Sequence, residues 1–399
     1  MKFEEAVLGS LPAFRFGHAT DTQAGTGCSV VLAPAGAVCG ASVSGGGPAT
    51  RETDLLRPEN MIEAVHALVL AGGSAFGLEA SSGVMDALAK RSLGFPLAGA
   101  YVPIVCGACI FDLAVGHAKH PDKAMGRKAA EAALDHVAFE EGNVGVGAGA
   151  SVGKLLGPGN AMKSGFGIRV LRCGELVVGA LAVVNALGNV KAPDGAWLAG
   201  CRGDDGNIVD PLDAFWLYAQ SSGRGPQGAS LDTGFETSAA FVAGPSETTA
   251  LQASDTSQAV ASLQASDTSQ AAASPQASVM SQDAASPQAS VMSQAAAPQS
   301  PLHPQAPANT TLGIVVTNAS LTKAQATRVS AVVNDAYARA IKPVHTSHDG
   351  DAVFTFASGP VDALPDWVAV MATEAMEAAI RRAAQVPGAF GLPGAADKR

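Results

Sequence analysis

Clusters of basic residues are absent from this 399-residue sequence. The net charge is −10 and no Lys/Arg-rich run occurs, whereas proteins that bind nucleic acid normally carry a clustered basic face. We therefore expect no nucleic-acid partner. Runs of eighteen apolar residues are also absent, and the N-terminal MKFEEAVLGSLPAF contains acidic residues and no apolar signal segment. This pattern predicts a cytoplasmic protein without a membrane partner.

Cysteines and aromatic residues are scarce. The six cysteines are scattered, and a chain of this length does not depend on disulfide bonds. Cys106 and Cys109 form a C-x-x-C motif, but the second pair typical of a structural zinc site is missing. We therefore expect neither a metal nor a cofactor. Aromatic residues make up 5% of the chain against 45 glycines, a composition that favours close backbone packing.

A repeat interrupts the sequence late in the chain. Four twelve-residue units rich in Ser, Gln, Ala and Pro, beginning with LQASDTSQ or PQASVMSQ, cover residues 251–298. They have no large apolar residues at a fixed face and cannot bury enough surface to offset the entropy of ordering. We interpret 246–306 as a disordered insert between a folded body, residues 1–245, and a compact tail, residues 307–399.

Hydrophobic patterning in the body predicts mixed α/β structure. Residues 27–33 and 37–44 favour two strands around a Pro-Ala-Gly turn, and 177–186 favours a buried strand. Apolar spacing predicts a helix over 59–71, and Ser74 is the expected N-cap of a second helix that ends near Gly94.

The tail has an alternating strand and helix pattern. Residues 310–318 and 352–358 favour strands. One helix is expected after Ser320 as N-cap, and another over 366–384 with Asp366 as the cap. Strand, helix, strand and helix in this order predict an α/β layer.

Two glycine-rich segments invite a phosphate-binding interpretation, which their spacing does not support. In residues 143–154, Ala148 occupies the first glycine position of a phosphate loop, and Leu155 replaces the hydroxyl residue after Lys154. In residues 72–80 the serine directly follows a glycine, which is the wrong spacing for a nucleophile elbow. Tight packing of both segments is the simpler interpretation, although Lys154 is unusual in such a loop.

The step from Asn309 to Thr310 has the features of a self-cleavage point. A hydroxyl residue begins a β-rich run directly after a polar segment. Its side chain could attack the preceding carbonyl and leave a free α-amine, whose reference pKa near 8 suits a general base. Many Asn-Thr pairs begin strands for ordinary reasons, so the pair alone indicates little.

Longer motifs make the sequence similar to a known family. These are TGCSVVLAPAGAVCGASVSGGGPATRETDLLRPEN at 26–60, VVNALGNV at 183–190, NTTLGIVVTNA at 309–319 and HDGDAVF at 348–354. With them the chain resembles the DmpA-type peptidases, which include L-aminopeptidase/D-esterases, β-peptidyl aminopeptidases and nylon-oligomer hydrolases. The resemblance covers nearly the whole chain except the insert. It implies an α/β (α+β) fold, a four-layer αββα sandwich of the DmpA/ornithine-acetyltransferase type that is Ntn-hydrolase-like.

The resemblance also implies catalytic roles. Thr310 would be the nucleophile and, through its amine, the base. Asn185 would donate to the oxyanion, and Lys154 would favour the deprotonated hydroxyl. Asp349 and Asp351 match an acidic pair typical of the nylon-oligomer branch and would lie near the Thr310 amine.

Some site residues keep a second interpretation. Phe111 is a candidate for the oxyanion region, where some relatives have a tyrosine, so one hydroxyl is lost. Asn185 could be a strand-end turn residue, and Asp349-Gly350-Asp351 could form a hairpin turn. His18 and His348 are expected to be structural or to act behind the site.

The expected protein is a self-processing N-terminal-nucleophile hydrolase with an α chain, residues 1–309, and a β chain, residues 310–399, in one joint catalytic domain. Its substrates would be small peptides or ω-amino-acid oligomers such as 6-aminohexanoate amides, and the family suggests a homotetramer. One alternative is an acyltransferase of the ornithine-acetyltransferase type. The other is a binding or scaffold protein without enzymatic activity.

Overall fold

The computed structural model describes residues 3–221 and 309–398, and these belong to one unit. The insert predicted at 246–306, with its repeats at 251–298, lies outside the described residues. The helices are α1 Glu79–Ala89, α2 Lys123–Leu134, α3 Pro211–Ser221, α4 Lys323–Ala340 and α5 Pro365–Ala384. Among the described segments, no helix is long and apolar enough to cross a membrane.

The strands, in chain order, fall before and after the gap in the described residues. Those before it are β1 Glu4–Glu5, β2 Arg15–Asp21, β3 Thr26–Val43, β4 Thr50–Arg51, β5 Val65–Ala71, β6 Phe95–Leu97, β7 Ala100–Val102, β8 Val105–Cys109, β9 Ser151–Val152, β10 Met162–Lys163, β11 Phe166–Cys173, β12 Leu176–Asn185, β13 Asn189–Lys191 and β14 Trp197–Ala199. Those after it are β15 Thr310–Ala319, β16 Ile341–Lys342 and β17 Ala352–Val361.

Strand β3 belongs to two sheets. In the first sheet, the second half of β3 pairs with β17, and the sheet continues through β15, β12 and β11 to β1. In the second sheet, the first half of β3 pairs with β2 and β5, and the sheet continues through β8 to β4. The prediction of two strands around a turn at Pro34-Ala35-Gly36 was wrong. A register shift between Leu32 and Ala37 replaces the turn, and such a bulge bends a strand without ending it.

Apolar side chains form three layers, one between the two sheets and one between each sheet and the helices that cover it. One lies between the sheets and contains residues such as Leu68, Leu181 and Phe354. A second joins the outer face of the β12–β15–β17 sheet to α4 and α5, and a third joins the outer face of the β2–β3–β5 sheet to α1 and α2. The order helix, sheet, sheet, helix confirms the predicted αββα sandwich.

Three predicted strands in the first sheet are confirmed, and they position the candidate site. Strand β15 lies between β12, which is antiparallel to it, and β17, which is parallel. Leu312, Ile314 and Val316 face the layer between the sheets. Because side chains alternate along a strand, Thr310 faces the same side at the strand's first residue.

The helix predicted over 59–71 was wrong, because residues 65–71 form β5. This strand is buried along its full length. A short run that is apolar on both faces fits a central strand as well as a helix.

Three helix caps also differ from expectation. Ser74 does not cap α1; it begins a 3-10 helix at a positive φ of 55° after Gly73. Thr322 rather than Ser320 caps α4, through a capping box with Gln325. Helix α5 begins at Pro365, with Leu364 at the N-cap position in place of Asp366.

Candidate active site

Thr310 begins β15 with its hydroxyl on the carbonyl of the residue before it. Thr310 Oγ1 lies 2.5 Å from the carbonyl oxygen of Asn309 and donates to it. The backbone N–H of Gly350 donates to the same oxygen at 2.8 Å. Both Asn309 and Thr310 are buried. The carbonyl of Asn309 is therefore polarised by two donors, and one of them is the hydroxyl that could attack it.

Asn185 ends the neighbouring strand directly opposite Thr310. The two residues are paired across the β12–β15 ladder. The Asn185 amide oxygen accepts from Lys154 Nζ at 2.6 Å and from the backbone N–H of Ser151 at 3.2 Å. These donors fix the orientation of the amide, since its NH₂ group must point the other way. That group donates to the carbonyl oxygen of Phe111 at 2.9 Å.

Lys154 makes two hydrogen bonds to Asn185. Its ammonium also donates to the Asn185 backbone oxygen at 2.9 Å. Burial lowers the pKa of Lys154 to about 7, while the charges of Asp349 and Asp112 act against this shift. Lys154 therefore changes charge near neutral pH, between two acidic side chains.

Asp349 and Asp351 lie next to the start of β15. Asn309 and Asp349 form a parallel bridge and the turn lies before it, at residues 347–348, so the alternative interpretation of Asp349-Gly350-Asp351 as a hairpin turn was wrong. The Asp351 carboxylate accepts from the backbone N–H of Thr311 at 2.6 Å. Asp349 accepts from the backbone N–H of Thr346 at 2.6 Å, while its Oδ1 is buried without a hydrogen-bond partner.

The charge of Asp349 depends on this environment. Burial raises the pKa of its carboxyl, and the neighbouring charge of Asp351 raises it further. A carboxylate oxygen that is buried and unpaired favours a cationic partner.

His345 is a site residue that the sequence analysis missed. Its Nδ1 lies 2.8 Å from Asp351 Oδ2, and its ring stacks on Tyr337. Burial acts to lower the pKa of His345, but the hydrogen bond and charge of Asp351 give a net rise. His345 is hydrogen-bonded to Asp351, whereas among the residues that the structure describes no hydrogen bond joins His18, which was predicted to be structural, to the site. His18 contacts Ser29 and Glu140.

Phe111 contributes its backbone to the site through the bond from Asn185. Asp112, the next residue, was also missed. Its buried carboxylate accepts from the backbone N–H of Gly73 at 2.6 Å and from the Thr26 hydroxyl at 2.8 Å. Burial raises the pKa of Asp112 to about 6.

Known proteins share this architecture and sequence. The model of peptidase family S58 matches residues 11–208 and 220–387. An uncharacterized aminopeptidase of Mycobacterium bovis is 35% identical over 345 residues, which cover 85% of this chain and 75% of that protein. A 6-aminohexanoate-oligomer endohydrolase of Paenarthrobacter ureafaciens is 33% identical over 185 residues, which cover 46% of this chain and 49% of that enzyme.

Solved structures show the same fold at low sequence identity. A Burkholderia sp. beta-aminopeptidase matches with a TM-score of 0.55 at 15% identity, over 99% of this chain and 92% of that one. The L-aminopeptidase D-Ala-esterase/amidase of Ochrobactrum anthropi, a variant among the Ntn hydrolase folds, matches with a TM-score of 0.53 at 14% identity, over 98% and 91%. From the family match and the relatives together, the chain belongs to peptidase family S58, the DmpA family, and is a hydrolase of peptide or amide bonds.

Proposed function

We propose that the chain cuts itself between Asn309 and Thr310 and then hydrolyses amide bonds through an acyl-enzyme on Thr310. The observation that carries this proposal is the contact between the Thr310 hydroxyl and the Asn309 carbonyl oxygen, at 2.5 Å, with Gly350 N–H on the same oxygen. A hydroxyl beside a carbonyl that already receives hydrogen bonds is prepared for nucleophilic attack.

The cut converts one peptide bond into two chain ends. Thr310 Oγ attacks the Asn309 carbonyl carbon, the hydroxyl proton passes to the departing nitrogen, and the C–N bond breaks. An ester then joins Asn309 to Thr310 Oγ. Water hydrolyses the ester, which leaves a carboxylate on Asn309 and a free α-amine on Thr310. The products are an α chain of residues 1–309 and a β chain of residues 310–399, folded together as one catalytic domain.

The new amine is the general base for substrate turnover. An α-amine has a reference pKa near 8 and lies on the same residue as the hydroxyl that it deprotonates. Asp349 is its expected counter-ion, because Asp349 Oδ1 is buried beside Asn309 and lacks a partner in the uncut chain. Asp351 holds the Thr311 N–H and so fixes the strand start.

Asn185 and Lys154 stabilise the oxyanion of the tetrahedral intermediates that precede and follow the acyl-enzyme. The NH₂ group of Asn185 keeps one hydrogen beyond its bond to Phe111, and the residue faces Thr310 across the ladder. Lys154 holds the amide in this orientation and places a positive charge behind it.

The substrates that we propose are small peptides with a free amino end and linear ω-amino-acid oligomers of the 6-aminohexanoate type. Support comes from the aminopeptidase and 6-aminohexanoate-oligomer endohydrolase relatives and from the acidic pair Asp349 and Asp351, which resembles that of the nylon-oligomer branch. We further propose that the enzyme works in the cytoplasm as a homotetramer of αβ units.

Purified protein incubated with β-alanyl, D-alanyl and 6-aminohexanoyl amides tests this function. We expect wild type to hydrolyse at least one of these classes and Thr310→Ala to hydrolyse none. Reactions repeated with ornithine separate hydrolysis from acyl transfer. Products that form only when ornithine is present, or amide cleavage that survives in Thr310→Ala, would contradict the proposal.

A further inference from the structure

The two glycine-rich segments both pack against one buried carboxylate, that of Asp112. A Cβ placed on Gly72 would lie 2.1 Å from Asp112 Oδ2, and one placed on Gly149 would lie 2.6 Å from Asp112 Cβ. Neither position admits a larger residue without displacing the carboxylate or the backbone around it. The segments at 72–80 and 143–154 thus have a common function in enclosing Asp112.

Asp112 is fixed at both carboxylate oxygens. Oδ1 accepts from Gly73 N–H, and Oδ2 accepts from the Thr26 hydroxyl, whose residue begins β3. The side chain is 2% exposed, and a buried carboxylate held by two donors has little freedom to move. The peptide bond between Phe111 and Asp112 is therefore held in place from its C-terminal side.

That peptide bond leads directly to the oxyanion side of the active site. Its carbonyl oxygen, on Phe111, accepts the hydrogen bond from the Asn185 NH₂ group at 2.9 Å. Asp112 thereby acts on Asn185 through a single peptide unit. Displacement of a catalytic group by about 1 Å can lower a rate by about a hundredfold.

Asp112 also interacts electrostatically with two lysines of this region. Its charge acts on Lys154 and on Lys163, and it raises the pKa of the Cys109 thiol together with burial. The charges of Asp349 and Asp112 both act to raise the pKa of Lys154 against the effect of burial. With the pKa of Asp112 raised to about 6 and that of Lys154 lowered to about 7, both groups change charge close to neutral pH.

We propose that Asp112 is a positioning residue for amide hydrolysis, which holds Asn185 in its working orientation through the Phe111 carbonyl. The inference rests on the proposed function and adds to it a residue that touches neither substrate nor nucleophile.

Asp112→Asn is the decisive variant, because asparagine keeps the shape and both hydrogen bonds when the Thr26 hydroxyl reverses its role. We expect kcat to fall about tenfold or more with KM changed less than about threefold. Loss of the negative charge also makes Lys154 easier to deprotonate. The alkaline limb of the kcat/KM profile should therefore move to lower pH by about half a unit or more.

Two further variants separate charge from position. Thr26→Val removes one hydrogen bond and keeps the charge, so kcat should fall by about threefold or more while the alkaline limb stays in place. Asp362→Asn is the control: it removes an exposed carboxylate and should leave kcat and the alkaline limb of the kcat/KM profile as in wild type. Circular dichroism of each variant establishes that it is folded.

The outcomes distinguish this inference from the proposed function. If wild type is cut and active and Thr310→Ala is neither, but folded Asp112→Asn keeps the wild-type kcat and alkaline limb, the role of Asp112 is wrong and the function stands. If Asp112→Asn does not fold, an unchanged kcat in Thr26→Val overturns the role. Wild type that stays uncut and inactive overturns both.

Discussion

At the scale of single residues, burial of Asp349 has an energetic cost in the uncut chain, against which the hydrogen bonds from Thr346 and the charge of Lys154 act. Its Oδ1 is buried without a hydrogen-bond partner, and an unpaired buried carboxylate oxygen destabilises a structure by about 1–3 kcal/mol or more. The proposed cut produces an ammonium group on Thr310, which begins the strand beside Asp349. A carboxylate that destabilises the uncut chain and gains a cationic partner after the cut fits a role in substrate turnover rather than in self-cleavage.

Asp349→Asn should therefore separate the two reactions. We expect the variant still to form both chains, because the Thr310–Asn309 contact and the Gly350 N–H do not involve the Asp349 side chain. Amide turnover should fall about a hundredfold, since the base loses its counter-ion. Intact mass and steady-state kinetics measure the two effects. Wild-type turnover, or a cut slowed as much as turnover, would contradict the role.

The sequence could indicate some of these residues and not others. The pairing of Asn185 with Thr310 was accessible only through the family resemblance, because hydrophobic patterns do not give the partners of distant strands. His345 and Asp112 act behind the site through hydrogen bonds to Asp351 and to Gly73 and Thr26. The two glycine-rich segments, which contact Asp112, gave an indirect signal for it.

At the scale of elements, His18 joins β2 to the 3-10 helix at Gly145–Gly149. Its Nδ1 lies 2.7 Å from Ser29 Oγ, which in turn accepts from the backbone N–H of Val146. The ring also stacks on Phe139, with centroids 3.9 Å apart. Burial lowers the pKa of His18 from 6.5 to about 4, so the folded protein holds this side chain neutral.

This shift predicts the pH dependence of stability. Between pH 6.5 and 4 the unfolded chain binds a proton at His18 that the folded chain does not, so the free energy of unfolding falls as the pH falls. Between pH 6.5 and 4, the free energy of unfolding should fall by up to about 3 kcal/mol more in the protein with His18 than in the His18→Gln variant. Urea unfolding of both, in the Thr310→Ala background, gives this difference. Parallel pH profiles would contradict the assignment.

The sequence predicted helices and strands correctly where one face of the element is polar or the apolar segment is long, as for α4, α5 and β15. The prediction failed at residues 59–71, where apolar residues at helical spacing predicted a helix but residues 65–71 form a strand that is buried on both faces. The Pro-Ala-Gly segment in β3 failed for another reason. Local turn chemistry was overridden by pairing with two different sheets.

At the scale of the whole molecule, both sides of the proposed cut contribute to the sandwich. The β15 and β17 strands that follow it lie between β12 and β3, which precede it. Helices α4 and α5 cover the outer face of the same sheet. Two chains interleaved in this way share a core, so the fold predicts that they stay associated after the covalent link is lost. The layer order was predictable from the resemblance, whereas the sharing of β3 was not.

Mass spectrometry of freshly purified, active protein tests the central claim most directly. Under denaturing conditions we expect two chains, residues 1–309 and 310–399, and under native conditions a complex that contains both. Thr310→Ala should give one unbroken chain of 39.8 kDa. Active wild-type protein that consists only of the unbroken chain, or a Thr310→Ala chain that is cut at the same bond, would contradict the account.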